Sequence, residues 1–172
     1  VEAYVNTGVA FKKLGKLDDS IDAYNKAITI KPDDADAYSN LGNALQDKGK
    51  LNEAIDAYQK SISIKPNNVV ALINMGNTFR DQGKLDDAII TYKKSLSYLP
   101  NYTDAYLNIG TVLLEQSKLD EAIEFFNKCI LLNPNYAIAH NNLGNALQEK
   151  GKYNSAVKAY KKCISLDPNY VD

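Results

Sequence analysis

The chain has 172 residues, which is five times 34 plus two. Lys and Arg total 20 and Asp and Glu 21, a formal net charge of -1, which lacks the basic excess of a general nucleic-acid or anionic-membrane binder. Apolar residues make up 45%, no apolar run approaches the ~20 residues that span a bilayer, and no secretory signal stands at the front. The expectation is a cytoplasmic protein in a reducing compartment, with no nucleic acid and no membrane among its partners. Two cysteines, Cys129 and Cys163, are too few for a disulfide framework. A single histidine, His140, leaves little scope for histidine-based catalysis or metal binding. The first residue is Val1 rather than Met, as expected of a segment of a longer chain.

The length is a repeat count. Gly8, Gly42, Gly76, Gly110 and Gly144 are 34 residues apart, and so are Pro32, Pro66, Pro100, Pro134 and Pro168. The repeats run 1–34, 35–68, 69–102, 103–136 and 137–170, and Val171–Asp172 read as the stub of a sixth. We number positions within a repeat as slots 1 to 34, starting from Val1.

Each repeat predicts two helices. At about 100° per residue, slots 3, 4, 7, 8, 10 and 11 share one arc of the first helix. In the second repeat these are Ala37, Tyr38, Leu41, Gly42, Ala44 and Leu45, while Asp36, Asn40, Asn43 and Asp47 lie opposite. Gly49 then fits a helix C-terminus, where positive φ is wanted. Asn52, with Asp18, Asp86 and Asp120 at the equivalent slot, fits the N-cap of the second helix. That helix buries Leu51, Ala54, Ile55, Tyr58, Ser61 and Ile62, and Pro66 ends it.

Glycine inside a helix costs ~1 kcal/mol against alanine, yet slot 8 is glycine in all five repeats. The pattern predicts close helix approach, with the small residues of slot 20 (Ser20, Ala54, Ala88, Ala122, Ala156) as the facing surface. A lone helix pair cannot bury both its faces, so the repeats must stack.

This combination resembles the tetratricopeptide repeat (TPR): an aromatic at Tyr4, Tyr38 and Tyr106, the slot-8 glycine, small residues at slot 20, Tyr or Phe at slot 24 and Pro at slot 32. Leu72, His140 and Ser117 depart from it. The resemblance covers nearly the whole chain. It implies an all-α, right-handed α-solenoid whose first helices line a concave face that binds a peptide or partner protein.

Other motifs have plainer readings. Gly42 to Gly49-Lys50 looks like a phosphate loop, but six residues lie between the glycines instead of four and Leu51 stands where Ser or Thr must hold magnesium. His140 lies on the packed arc with no acid or nucleophile placed beside it. Cys129 and Cys163 share a buried slot on stacked helices, too far apart to bridge. Asn101-Tyr102-Thr103 is a formal glycosylation acceptor without a secretion signal. Lys26, Lys60, Lys94, Lys128 and Lys162 fall on a polar arc among acidic neighbours and read as solvated charge. No catalytic residue, metal ligand or cofactor is expected, and the protein reads as a non-enzyme.

The asparagines stand out. Asn6, Asn40, Asn74, Asn108 and Asn142 fill slot 6, and Asn43, Asn77 and Asn145 add slot 9 in three repeats. Asparagine is a mediocre helix former. Its amide carries donors and an acceptor together, suited to bonding the backbone of an extended peptide. The same amides would equally bond the next repeat and set the stacking, or persist by duplication. Val70, Ile73, Leu107, Leu114 and Ile138 add apolar side chains along the third to fifth repeats. The row is similar to that in the TPR arm of O-GlcNAc transferases, which implies a hold on substrate backbones. The alternative function is thus the substrate-recognition arm of a larger glycosyltransferase-type enzyme. The co-chaperone type of array grips a C-terminal carboxylate with lysines and an arginine, but here Ser39, Asp104 and Asn108 stand in those slots. The leading expectation is a protein–protein interaction scaffold. Tyr160 and Ile164 face where a sixth repeat would stack, which adds possible end-to-end self-association.

Overall fold

The computed structural model describes residues 1–169, so the Val171–Asp172 stub lies outside the described residues. These residues form ten α-helices and no strand: α1 Glu2–Lys13, α2 Leu17–Ile30, α3 Ala35–Asp47, α4 Leu51–Ile64, α5 Val69–Asp81, α6 Leu85–Tyr98, α7 Thr103–Glu115, α8 Leu119–Leu132, α9 Ala137–Glu149 and α10 Tyr153–Leu166. None of them is long and apolar enough to cross a membrane. The arrangement is all-α and solenoid-like, in two compact bodies: Val1–Tyr98 holds α1 to α6, and Leu99–Asp172 holds α7 to α10.

In the first body α3 packs on α4 and on the preceding α2, and α5 packs on α6 and on α4. In the second body α9 packs in the same way on α10 and α8. Each such first helix therefore has two partners, and its apolar side must be wide. The core of the first body runs through Tyr24, Leu41, Leu45, Tyr58, Ile62 and Leu72. α4 buries Ala54, Ile55, Tyr58, Ser61 and Ile62 as the periodicity predicts, and Ala57 besides, while Leu51, also expected there, is half-buried.

The slot-8 glycines have an unexpected neighbour. A Cβ on Gly42 would lie 2.5 Å from Cε1 of Tyr58, the slot-24 aromatic. The other four repeats repeat this, with Tyr24, Tyr92, Phe126 and Tyr160 at 2.4 to 2.6 Å. So the missing side chain makes room for an aromatic ring. The small residue of slot 20 lies against the same glycine in the first repeat, where Ser20 Oγ donates to the Gly8 carbonyl at 2.8 Å.

The second-helix caps also differ from expectation. The amide of Ala54 donates to the carbonyl of Lys50 at 3.0 Å, so Lys50 is already the N-cap and Asn52 lies inside the first turn. Lys16 and Lys118 take the same place, which puts Asp18 and Asp120 inside their helices too. These side chains instead link repeats. Lys48 pairs with Asp18 and Lys150 with Asp120, and Gln82 Nε2 donates to Asn52 Oδ1 at 2.8 Å. The side-chain caps sit one element later, where Asp34 accepts from the amide of Ala37 and Asn68 from that of Ala71.

Gly49 turns the chain at φ +78°, as predicted from its place after α3. Ser117 holds the equivalent position at φ 57°, where an L side chain is strained. Ser117→Gly should therefore raise stability by about 0.5–1 kcal/mol in urea denaturation, relief of strain outweighing the extra freedom of the unfolded chain. Gly42→Ala should do the opposite. Helix propensity alone favours alanine by ~1 kcal/mol, but overpacking against the buried Tyr58 ring should leave a net loss of about 1–2 kcal/mol in the same measurement.

Candidate peptide-binding face

The asparagines project from the first helices on the side away from the packed arc. Asn6, Asn40, Asn43, Asn74 and Asn77 belong to the first body; Asn108, Asn142 and Asn145 belong to the second. Asn6 is exposed and the other seven are half-buried.

Most of their bonds run within the array. The hydroxyl of Tyr58 donates to Asn43 Oδ1 at 2.7 Å and lies 3.1 Å from Gln46 Oε1. Tyr92 meets Asn77 and Tyr160 meets Asn145 at 2.7 and 2.8 Å. Slot 9 is thus an anchor for the slot-24 tyrosine of its own repeat. Slot 6 then reaches back one repeat: Asn74 Nδ2 donates to Asn43 Oδ1 at 2.7 Å. In the fourth repeat Phe126 has no hydroxyl and slot 9 is Thr111. There Asn142 Nδ2 donates to Thr111 Oγ1 at 3.3 Å. Burial and the nearby Asp47 carboxylate push the Tyr58 phenol well above its usual range, which keeps it a donor.

Asn40 breaks the pattern. The slot-9 residue of the preceding repeat is Val9, which offers no acceptor. Among the described residues its amide meets no array partner. It lines a groove of about 360 Å³ in the first body, with Ser39, Asn43, Asn68, Val70, Lys65 and Asp36. Lys65 and Asp36 face each other at 4.0 Å on its rim. Val70 presents its side chain there, being mostly exposed.

The apolar members of the predicted face divide. Val70 and Ile138 are exposed and Leu114 is half-buried. Ile73 and Leu107 are only 7% and 8% exposed and offer little surface. Their slot lies about 60° beyond the predicted packed arc, and in α5, packed on both α4 and α6, that margin is covered as well. Ser39, at the same slot, is buried for the same reason.

The remaining motifs find plain places. His140 is buried with Nε2 2.9 Å from the Pro134 carbonyl, the bond that Tyr106 makes one repeat earlier to Pro100. Cys129 and Cys163 are both buried and neither forms a disulfide, and burial with the Asp104 charge pushes the Cys129 thiol up to about 12. The slot-26 lysines are all exposed, and Lys128 pairs with Glu124 at 2.7 Å. No group of acids, cysteines and histidine among the described residues is placed to hold a metal. A larger depression of about 670 Å³ lies over Tyr38, Leu41 and Ala57, walled by the exposed Glu53, Gln59 and Lys60 of α4. Sequence periodicity gave no hint of it, because its wall is the ordinary polar arc of a surface helix.

Family models for the tetratricopeptide repeat match residues 35–68, 103–136 and 137–170, and 57–90. A further TPR repeat model matches 8–49 and 76–117. Among solved structures, one of MamA is 27% identical over 94% of each chain, with a TM-score of 0.85. A MamA segment from Desulfovibrio magneticus RS-1 is 19% identical over 99% of this chain and 97% of that one, with a TM-score of 0.86. YrrB, described as a TPR protein with an unusual peptide-binding site, is 23% identical over 97% of this chain and 86% of its own, with a TM-score of 0.76. The last two likenesses extend to the fold alone. No curated protein matches the sequence. With these repeat models covering most of the sequence and a glycine beneath an aromatic ring in every repeat, the chain belongs to the tetratricopeptide repeat family.

Proposed function

We propose that this interaction scaffold binds an extended peptide along its first-helix face and performs no catalysis itself. The carrying observation is the groove around Asn40 and Asn43, where the array leaves amide capacity unused. An asparagine amide has two donors and an acceptor with two lone pairs. On Asn43 the two lone pairs serve Tyr58 and Asn74, so its donors remain. Asn40 keeps both kinds. A peptide backbone offers the complementary set in every residue. Val70 supplies an apolar wall beside them, and Leu114 and Ile138 offer apolar surface in the second body. The fold shared with a peptide-binding TPR protein supports the reading at the level of fold.

We infer repeat boundaries at 1–34, 35–68, 69–102, 103–136 and 137–170. We also infer that the apolar end of α10 supports self-association. Nucleic acid and membranes fall outside the partners proposed, in keeping with a net charge of -1.

Asn40→Ala should weaken capture of the native partner from lysate several-fold, per folded molecule, and leave the melting temperature nearly unchanged. Asn74→Ala with Asn108→Ala should weaken capture too, but with a loss of stability of about 1 kcal/mol for the Asn74 bond to Asn43. Unchanged capture by the Asn40 variant, with a lower melting temperature for the double variant, would make the row purely structural. An acidic C-terminal pentapeptide should show no micromolar binding in calorimetry, since the lysine slots of a carboxylate clamp hold Ser39 and Asp104.

A further inference from the structure

The Asn40 groove has a counterpart in the second body. A shift of two repeats carries its Asp36, Lys65, Asn68 and Val70 to Asp104, Asn133, Tyr136 and Ile138. Two of these meet directly, since the hydroxyl of Tyr136 donates to Asp104 Oδ1 at 2.9 Å. Asn108, the slot-6 amide of α7, lies one turn from Asp104 on the same side of its helix, as Asn40 does from Asp36 in α3. Ile138 is 39% exposed and Val70 57%, so each place keeps an open apolar side chain.

Their charge differs. In the first body Asp36 is well exposed and Lys65 stands 4.0 Å away, so the two charges offset each other. In the second body Asn133 takes the place of the lysine, and Asp104 has no cationic partner among the described residues. Asp104 also sits deeper, half-buried beside the phenols of Tyr102 and Tyr136. Burial, the bond to Asp104 and the charge of that carboxylate push the Tyr136 phenol up to about 12, which keeps it a neutral donor. α7 and α9 add Glu115 and Glu149 and carry no lysine or arginine. An acid in the first turn of α7 complements the helix dipole. Asp36 does the same in α3, so that role explains neither the missing lysine nor the deeper seat. A carboxylate taken partly out of water is costly without a counter-charge, and bonds from neutral phenols leave its charge uncompensated.

We propose that the second body takes a lysine or arginine side chain of the bound peptide onto Asp104, with Tyr136 holding the carboxylate and Ile138 receiving a neighbouring apolar side chain. The proposal rests on the peptide-binding reading above and adds the chemistry of the peptide to it. Charge complementarity selects the occupant: a cationic residue supplies what Lys65 supplies in the first body, and an acidic segment is repelled at the same place.

Pools of short fluorescein-labelled peptides test this, random except for a central lysine, arginine, acetyl-lysine or glutamate, with binding to the whole chain read by fluorescence anisotropy. The lysine and arginine pools should bind several-fold more tightly than the other two. Asp104→Asn, which keeps an acceptor for Tyr136, should remove that preference and leave the melting temperature nearly unchanged. Asn133→Lys, a change at an exposed site that restores the lysine, should remove most of it too, and carries the test if the Asp104 variant melts early. Glu121→Gln makes the same change of charge at an exposed site on α8 and should leave the preference intact. Equal binding of all four pools, or a preference that survives both Asp104→Asn and Asn133→Lys, overturns the proposal and leaves peptide binding standing. An equal loss in the Glu121 and Asp104 variants reduces the preference to net charge and overturns it as well. Binding by none of the pools sinks both this proposal and the reading beneath it.

Discussion

The contact between the slot-8 glycine and the slot-24 aromatic ring governs the rest of the molecule. A tyrosine ring seated over Gly42 fixes how closely α3 and α4 approach. It also brings its hydroxyl to the edge of the packed core, within reach of Asn43 and Gln46. Asn43 is then held with its carbonyl turned inward, and the amide of Asn74 docks on it from the next repeat. One side chain thus sets the spacing within a repeat and, through its hydroxyl, helps to set the register between repeats. A glycine in mid-helix sacrifices intrinsic helix stability, and close seating of a large aromatic offsets that loss.

The fold was legible because it is written five times. A single Gly in a helix or a single Pro after one is weak evidence, but the same slot in every repeat is not. The buried face of α4 and the positive φ of Gly49 followed from periodicity alone. What went wrong was local. The slot-18 residues have cap chemistry, but the lysine carbonyl before them had already started the helix, and residue type alone cannot say which carbonyl does so. The aromatic ring over the glycine was missed because helical periodicity places residues around one helix and says nothing of which slots face each other across two.

The site was half legible. Asn was recognised as costly in a helix and therefore as employed, but its employer was harder to read. The signal was present: slot 9 is Asn in the second, third and fifth repeats, each with Tyr at slot 24, and Thr in the fourth, where slot 24 is Phe126. In four of the five repeats that covariation marks a tyrosine–hydroxyl-to-amide bond or its loss; the first, with Val9 and Tyr24, is the exception. Ile73 was misread because a first helix was treated as having one packing partner, when stacking gives α5 two.

The ladder also changes what counts as a module. Slot 24 pairs with slot 9 within a repeat, but slot 6 pairs with slot 9 of the repeat before it, so the polar code straddles the boundaries between the second and third and between the fourth and fifth repeats. Repeats of this kind are not freely interchangeable beads. Moving one alters the amide chemistry of its neighbour. Val9 ahead of Asn40 is such a mismatch, a defect in that ladder. In a crystal, a defect leaves unsatisfied bonds where a foreign molecule adsorbs. A duplicated array can acquire a binding site in the same way, by losing one acceptor without adding any residue for the ligand.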